Sequence, residues 1–339
     1  RRTIMKPDFI HTLPKVELHV HLEGTLSLEL ILELAEKNHM ELPRPKEDLF
    51  TFTGLTDFLE MLNWTCSLVK DGADARKLAY NYARYASSQN IMYAEVMTNP
   101  THWKSLSYQD LIENILQGFD QAYDDGYCDC RLLVSLLRSQ TRRESLELVR
   151  YMTAHRHPRL LGLSVDGNEA ASPQSGQVLY EAFLEARNAG FGITVHAGES
   201  SPAEGVTQAL DILGAMRIDH GVRAISDPDL LKRLADGQIT LNTCPTSNLM
   251  ELYKTMDEHP LKDLYNLGIP VTVSTDDPEL FRIDLCQELE RAALACGWTE
   301  KDLIRIQENA VRASFCDEST KQMLLEKLEV FCRFFGLHA

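Results

Sequence analysis

The chain has 339 residues, of which 44% are hydrophobic and 25% are charged, and its formal net charge is −16. This length fits two average domains or one large α/β barrel, and the composition contains no biased tract. No apolar run approaches the roughly 18 residues of a membrane span, and no cluster of Lys and Arg offers a basic patch for nucleic acid. We therefore expect a small, neutral or cationic substrate and neither a nucleic-acid nor a membrane partner.

The amino-terminal segment and the cysteines bear on the cellular compartment. Residues 1–9 lack the apolar core of a signal peptide and are predicted to be a flexible leader. The eight cysteines are scattered without the spacing of a disulfide framework. Reduced and mostly buried thiols in a cytoplasmic protein are the resulting prediction, whereas the oligomeric state is not encoded in any motif.

Eight short apolar or β-branched runs predict eight strands. They lie at 16–22, 92–98, 130–137, 161–167, 191–198, 216–222, 239–245 and 271–277. From the second run onward each gap contains a helix-like segment, for example 108–123, 176–189, 203–213 and 227–236. Alternation of strands and helices over eight units predicts an α/β fold, a parallel (β/α)8 TIM barrel.

The loops between these elements carry further signals. Asp227 followed by Pro228 predicts a helix start, because Asp caps free N–H groups and Pro suits the first helical position. Gly190, Gly237 and Gly268 each fall between a helix and the next strand, where a left-handed cap favours glycine.

The gap after the first strand is an exception, because residues 25–90 hold three helix-like stretches, 26–38, 55–68 and 73–89. We predict a helical insertion over the barrel mouth, extra helices at the carboxyl terminus, and one metal-dependent hydrolase domain over 1–339. A doubly wound sheet is the alternative, but it normally carries a Gly-rich loop after strand one, and "HLEGTL" has a single Gly.

The first strand, within "LPKVELHVHLEG", alternates apolar and polar residues. Side chains on a strand alternate between two faces, so Glu17, His19, His21 and Glu23 are predicted to share one face. Two His two residues apart on a strand can converge on one metal ion, although a half-exposed strand with a polar face would show the same pattern.

The other predicted strand ends concentrate polar side chains as well. His196, His220 and Asp276 occur there, and in a (β/α)8 barrel the carboxyl ends of the strands form the catalytic face. Buried imidazoles and carboxylates are costly unless they are paired or bind a metal. The remaining histidines are interpreted as surface or loop residues: His11, His39, His102, His155, His157, His259 and His338.

The residue types at these strand ends favour a catalytic zinc site. Three neutral imidazoles and one carboxylate, with an open position for water, suit a catalytic transition metal. A dinuclear site would need more ligands, and the end of strand four, "LSVDGNE", contains no Lys that could be carboxylated to bridge two ions. One metal ion per chain is therefore predicted.

Five segments together resemble the adenosine deaminase family of the amidohydrolase superfamily. They are "ELHVHLEG", "HAGES", "RIDHGVRA", "CPTSN" and "STDDPELF", in matching order and spacing from about residue 12 to about residue 335. The resemblance implies a zinc-dependent hydrolytic deaminase of a 6-aminopurine, active in purine metabolism. It further implies that zinc is bound by His19, His21, His196 and Asp276.

The resemblance also implies roles for other residues. Glu199 would donate a proton to the purine nitrogen beside the attacked carbon, and His220 would orient the zinc water and help to deprotonate it. Asp277 would sit beside that water and hydrogen-bond the purine, and Gly167 would offer its backbone N–H to another ring nitrogen. The segment "LTDFLEML" resembles an apolar lid helix that covers the base with three side chains: Phe58, Leu59 and Leu62.

The substrate is the least determined expectation, and it depends on Glu23. Nucleoside deaminases of this family usually carry Asp at this position, where it contacts the sugar 5′-hydroxyl. "HLEGTL" and "RIDHGVRA" are similar to deaminases of free adenine or 6-aminodeoxyfutalosine, whereas "DGNEAASP", "CPTSN" and "TDDPELF" favour nucleosides. Adenosine or 2′-deoxyadenosine is the first expectation, with adenine and 6-aminodeoxyfutalosine as alternatives.

Other classes of function remain as competitors. A metal-dependent phosphoesterase barrel would need two or three metals and phosphate-binding cations, and the strand ends are poor in Lys. A non-catalytic purine-binding protein would be expected to have a broken ligand set, whereas this one is intact. Cytidine and tRNA deaminases pair H-x-E with P-C-x-x-C, and no C-x-x-C occurs in this chain.

Overall fold

The computed structural model describes residues 8–250 and 252–337. Most of the predicted leader lies outside the described residues, but Phe9 does not. Its side chain is fully buried, and its ring packs edge-on against Phe331 with the ring centroids 5.2 Å apart. The prediction that residues 1–9 form a flexible leader is therefore wrong for Phe9, whose apolar ring is anchored by the C-terminal helix.

Eight parallel strands, paired in chain order, form a nearly closed barrel, which confirms the predicted (β/α)8 fold. The strands are β1 (Lys15–His21), β2 (Ile91–Thr98), β3 (Asp129–Leu137), β4 (Leu160–Asp166), β5 (Gly192–Ala197), β6 (Arg217–His220), β7 (Leu241–Thr243) and β8 (Val271–Val273). The last four are shorter than predicted. The ring is completed where the His21 N–H donates to the Asp276 carbonyl (2.8 Å) and the Asp276 N–H to the His19 carbonyl (3.1 Å).

Strand β1 is irregular, and this changes which residues share a face. Its register with β2 shifts between Glu17 and Val20, where an extra β1 residue is accommodated. The Glu17 carboxylate accepts hydrogen bonds from the Thr275 N–H (2.8 Å) and the Tyr82 hydroxyl (3.1 Å). The prediction that Glu17 shares the polar face of His19 and His21 is wrong, because the shift breaks the alternation.

Fifteen α-helices lie in the described part of the chain. They are α1 (Phe9–Thr12), α2 (Leu28–Lys37), α3 (Leu55–Ser67), α4 (Gly72–Ser88), α5 (Tyr108–Asp124), α6 (Arg142–Ala154), α7 (Ser175–Asn188), α8 (Ala203–Asp211), α9 (Pro228–Asp236), α10 (Pro245–Asn248), α11 (Leu261–Asn266), α12 (Pro278–Phe281), α13 (Leu285–Cys296), α14 (Glu300–Ala313) and α15 (Glu318–Phe335). The segments predicted between strands are confirmed, with ends that differ by one or two residues.

The ends of these helices follow the predicted signals with one exception. The Asp227 side chain accepts from the N–H groups of Asp229 and Leu230, so the N-cap of α9 is confirmed. Gly190 and Gly268 have positive φ, as predicted, but Gly237 has φ −80° and the left-handed position passes to Gln238 at φ 49°.

Helices α2, α3 and α4 form the predicted insertion between β1 and β2, and α14 and α15 follow the barrel at its carboxyl-terminal side. The Phe58 ring of α3 stacks on the Phe281 ring of α12, with centroids 5.0 Å apart, so the insertion reaches the segment that follows β8. The assignment of the whole chain to one domain stays a prediction.

The cysteines have the environment that the sequence predicted. Seven of the eight are buried, and all eight are free thiols. None of the helices in the described residues combines the length and the apolar character that crossing a membrane would require.

Candidate active site

Four predicted ligands meet at the carboxyl end of the barrel. His19 and His21 are supplied by β1, His196 by β5 and Asp276 by the loop after β8. The Nε2 atoms of His21 and His196 are 3.0 Å apart, although β1 and β5 lie on opposite sides of the barrel. Asp276 Oδ1 lies 3.1 Å from His19 Nε2 and 3.2 Å from His21 Nε2. The structure therefore brings the whole predicted ligand set together.

The spacing of these atoms fits a tetrahedral metal ion. Zinc at its usual ~2.0–2.1 Å from nitrogen or oxygen requires about 3.3 Å between neighbouring donors. The four donor atoms lie within 4.8 Å of one another, and the closest pairs are near the required separation. A second group shares His19 and Asp276 but adds Cys244, whose pKa is raised well above its usual value by burial. In this second group His220 Nε2 lies 3.8 Å from Asp276 Oδ2, farther apart than the closest pairs of the first group, so the first group is the better metal site.

The charges of the site suit a divalent cation. Burial lowers the pKa of His19, but Asp219 and Asp276 outweigh this effect and raise the pKa to about 9. Burial raises the pKa of Asp276, yet His19 and His21 hold it well below the usual value. Without a metal, the carboxylates thus draw a proton onto an imidazole. A divalent cation would remove this need and leave the imidazoles neutral, as metal ligands must be.

Asp219 supports two of these ligands, a role that was not predicted from its place at the end of strand six. Its Oδ1 lies 3.2 Å from His19 Nδ1 and its Oδ2 lies 3.7 Å from His196 Nδ1. A carboxylate behind the Nδ1 side orients an imidazole so that Nε2 can face the metal. Asp219 is in turn held by the Asn242 amide at 2.9 Å. The parallel register that aligns His196 with Asp219 was the signal that could have found it.

Two residues of the site have strained backbones. His220 has φ 64° and Asp276 has φ 66°, in the left-handed region that glycine normally occupies. Such conformations cost about 1–3 kcal/mol each and persist where the surrounding structure enforces them. Both residues end or follow a short strand, and the strain turns their side chains into the same pocket.

The backbone around Glu199 is held in place by the Glu169 carboxylate. The Glu169 carboxylate accepts from the N–H groups of Gly198 (3.0 Å), Glu199 (3.1 Å) and Ser200 (3.0 Å). Burial, and then the Asp276 carboxylate, raise the pKa of Glu199 to about 8. A carboxyl group that is protonated at neutral pH can act as a general acid. The sequence places Glu169 just beyond strand four, and its role in shaping this loop becomes visible only in three dimensions.

Glu23 and Asp277 form an acidic pair beside Gly24. Glu23 is 2% exposed, and its Oε1 accepts from the N–H of Asn99 (2.6 Å) and from Trp103 Nε1 (3.1 Å). Glu23 Oε2 and Asp277 Oδ1 are both buried without a hydrogen-bond partner among the described residues. A Cβ on Gly24 would come within 2.2 Å of Asp277 Oδ1, so glycine is required for this close approach.

The predicted base-binding residues are placed differently from one another. Gly167 directly follows β4 with φ 100°, a conformation suited to glycine. In α3, Phe58 and Leu62 are buried, whereas Leu59 is 42% exposed and lies outside the apolar face they share. The roles of Gly167, Phe58, Leu59 and Leu62 in binding the base stay predictions.

His220 is connected to a second buried histidine. Its Nε2 lies 3.4 Å from Glu199 Oε2, and its Nδ1 lies 3.2 Å from the Asn248 amide nitrogen. Asn248 Oδ1 in turn lies 3.0 Å from His259 Nε2. His259 lies in the loop before α11, as interpreted, but it is 4% exposed and is therefore not a surface residue. Burial and the neighbouring His19 lower the pKa of His220 to about 3.

A parallel eight-stranded barrel with three imidazoles, a carboxylate and a carboxylic acid of raised pKa at its carboxyl end defines a metal-dependent hydrolase. Comparison with known proteins specifies the family. The family model for adenosine deaminase matches residues 14–330. An adenine deaminase of Sinorhizobium fredii is 34% identical over 322 residues, which cover 94% of this chain and 99% of that protein.

Solved structures agree with this assignment. The adenine deaminase of Arthrobacter aurescens superposes with a TM-score of 0.88 at 28% identity, covering 95% of this chain and 99% of that one. An amidohydrolase of Burkholderia ambifaria with bound zinc gives 0.89 at 28% identity, with coverage of 99% and 98%. This chain therefore belongs to the adenosine deaminase family, and it is a hydrolytic deaminase.

Proposed function

We propose that this enzyme hydrolyses the 6-amino group of free adenine, which yields hypoxanthine and ammonia. Adenine deaminases are the relatives that it resembles at 34% identity over nearly its full length. The first expectation, adenosine or 2′-deoxyadenosine, is not confirmed, and its alternative is better supported. One zinc ion per chain, held by His19, His21, His196 and Asp276, is part of the proposal.

The observation that carries this choice is the surroundings of Glu23. We expected Glu23 near the barrel mouth, where it could accept from a sugar hydroxyl. Instead it is 2% exposed and packed behind Thr98, Asn99 and Trp103, which together donate three hydrogen bonds to its Oε1. Only Oε2 is left for a ligand, and it is buried.

A free purine base supplies the donor that this oxygen needs. The imidazole ring of adenine carries one N–H, at N9 in its main tautomer, and N7 is then an acceptor. A nucleoside has a sugar on N9 and therefore no N–H there. The Glu23 carboxylate can accept from N9–H. Burial and the Asp276 charge raise the pKa of neighbouring Asp277, so a protonated Asp277 can donate to N7.

The remaining chemistry is assigned to residues around the ligand set. Zinc, when bound, supplies a water molecule whose pKa is lowered to about 7. Glu199, with its pKa raised to about 8, donates its proton to N1, the ring nitrogen beside the attacked C6. His220 holds the attacking water from its Nε2 side, and the Gly167 N–H hydrogen-bonds N3. Phe58 and Leu62 exclude bulk solvent from the base.

The proposal is tested by measuring ammonia release from adenine, adenosine, 2′-deoxyadenosine, AMP and 6-aminodeoxyfutalosine. We expect adenine to have the highest kcat/KM. In Glu23→Gln, kcat/KM for adenine should fall by about 10- to 100-fold, because one charge-assisted hydrogen bond is lost. Activity on adenosine in the same variant serves as the control and should change little. Adenosine turning over fastest in the wild type, with loss of that activity in Glu23→Gln, would return Glu23 to the role of a sugar ligand.

A further inference from the structure

Three buried side chains form a hydrogen-bonded relay that leads from the start of α11 to His220. Its members His220, Asn248 and His259 are 1%, 1% and 4% exposed. The relay begins at a backbone group, because the N–H of Leu261 donates to His259 Nδ1 at 3.1 Å. A backbone N–H can only donate, and this fixes the direction of every hydrogen bond that follows.

The protons can be placed step by step from that anchor. His259 Nδ1 accepts, so in the neutral ring the proton is on Nε2, which donates to Asn248 Oδ1 at 3.0 Å. Burial lowers the pKa of His259 to about 4 and keeps the ring neutral. Since Asn248 Oδ1 is the accepting atom, its NH2 group faces His220 Nδ1 at 3.2 Å and donates to it. His220 Nδ1 therefore bears no proton.

The neutral His220 ring must then carry its proton on Nε2, the atom that faces the reaction centre. This atom lies 3.4 Å from Glu199 Oε2 and 3.8 Å from Asp276 Oδ2. A second proton on Nδ1 would oppose the Asn248 NH2 group, so the relay also disfavours the doubly protonated ring.

We propose that Asn248 and His259 are positioning residues that hold His220 as the Nε2–H tautomer, so that His220 donates to the attacking water and does not accept its proton. The sequence resemblance implied that His220 orients the water and also helps to deprotonate it. The relay retains the first role and removes the second, so the proton of the water, whose pKa bound zinc would lower to about 7, would pass to bulk solvent before the substrate binds. This inference rests on the deaminase chemistry and not on adenine being the substrate.

The first test reads the tautomer directly. Nitrogen-15 NMR of protein labelled at histidine, with His220 assigned from a His220→Gln sample, distinguishes protonated from unprotonated ring nitrogens. We expect Nε2 of His220 to carry the proton in both metal-free and zinc-loaded protein. A proton on Nδ1 of His220 in the wild type would overturn the proposal, and this measurement requires no substrate.

The second test reverses the direction of the hydrogen bond to His220 with a side chain of nearly the same shape as Asn. In Asn248→Asp the Oδ1 atom still accepts from His259, but the group facing His220 becomes an acceptor. The proton of His220 should move to Nδ1, and kcat should fall by up to about 10⁴-fold, the loss that the wrong histidine tautomer causes in a catalytic triad. KM and zinc content should change little. Unchanged NMR shifts with kcat within about twofold of the wild type would contradict the proposal.

The third test separates the relay from simple packing. The amide of Gln can reach the position of His Nε2, so His259→Gln keeps the donor to Asn248. The shorter His259→Asn can keep the acceptor for the Leu261 N–H but loses that donor. We expect His259→Asn to lose about tenfold in kcat and His259→Gln about twofold, at similar melting temperatures. Equal losses in both variants would indicate a structural role alone. Rates are measured on the 6-aminopurine that the wild type uses best, so a failed substrate assignment leaves this test intact.

Discussion

Polar side chains from opposite strands meet at both ends of the barrel, but the free-energy cost of burying them is offset in different ways. At the amino end, Glu95 of β2 meets Arg217 of β6, with Oε2 and Nη1 2.7 Å apart and both side chains at most 1% exposed. At the carboxyl end, His21 of β1 meets His196 of β5 with their Nε2 atoms 3.0 Å apart. The amino-end contact joins opposite charges, whereas the carboxyl-end contact joins two groups that cannot neutralise each other.

The residues around these two contacts differ in the same way. Arg217 also stacks on the Phe315 ring at 4.0 Å and donates to the Ala313 carbonyl, and Glu95 accepts from the Phe315 N–H at 2.6 Å. Asp276 and Asp277 have no Lys or Arg within ion-pair distance among the described residues. Buried charges must be paired or bind a metal, so only the carboxyl end requires a partner from outside the chain. The amino end is expected to govern stability and the carboxyl end to govern metal binding and rate.

The largest effect is expected from removing a metal ligand at the carboxyl end of the barrel. Asp276→Ala should lose zinc and at least about 10³-fold in kcat, because metal catalysis supplies several kcal/mol of transition-state stabilisation. Elemental analysis and ammonia release measure the two losses. A chelator should reproduce both in the wild type, and added zinc should reverse them. A variant that kept its zinc and its kcat would show that the metal site is elsewhere.

The matching change at the amino end is Glu95→Gln. It leaves the buried Arg217 without its counter-charge, and the free energy of unfolding should fall by about 3–5 kcal/mol. Zinc content and the kcat of the folded protein should stay unchanged. Chemical denaturation measures the loss, and Glu36→Gln, the same charge change on an exposed side chain of α2, is the control with an expected effect below about 0.5 kcal/mol. Equal stabilities would show that the ion pair contributes nothing.

A third change distinguishes two carboxylates within the carboxyl end. Glu199→Gln removes a proton donor and no metal ligand, so zinc should be retained while kcat falls by about 10²-fold or more. Purine binding, followed by equilibrium titration, should persist. Loss of zinc together with the rate would instead make Glu199 a ligand, and the division of roles between Glu199 and Asp276 would be wrong.

The smallest effect is expected at the amino end of the barrel, where the change in the free energy of unfolding depends on pH. Burial lowers the pKa of Lys15, the first residue of β1, to about 8. In the unfolded chain the pKa is about 10.4, so between these values the unfolded state binds more protons and stability rises with pH. Lys15→Met should therefore exceed the wild type by about 2–3 kcal/mol below pH 8, and this advantage should vanish near pH 10.4. Urea unfolding at pH 7 and pH 10 provides the comparison, and an advantage independent of pH would show that the buried charge of Lys15 is not its cause.

Much of the fold and the ligand set could be predicted because it depends on local patterns. The alternation of apolar runs with helical segments specified eight strands, and strand direction then specified which end carries the chemistry. Strand direction brought His19, His21, His196, His220 and Asp276 to one end as candidates, and the resemblance to the adenosine deaminase family then implied which four of them are the ligands.

Other features depended on contacts between distant segments. The register shift in β1 removed Glu17 from the polar face, and the packing of Trp103 against Glu23 enclosed a carboxylate that we expected near the barrel mouth. His259 lies 39 residues beyond His220 in the chain, and no periodicity links them. The sequence by itself determined the barrel and the kind of chemistry at its carboxyl end, because periodicity and strand direction are local properties. Only the tertiary structure decided how Glu23 is enclosed and how His220 is oriented, because both depend on hydrogen bonds between segments that folding brings together.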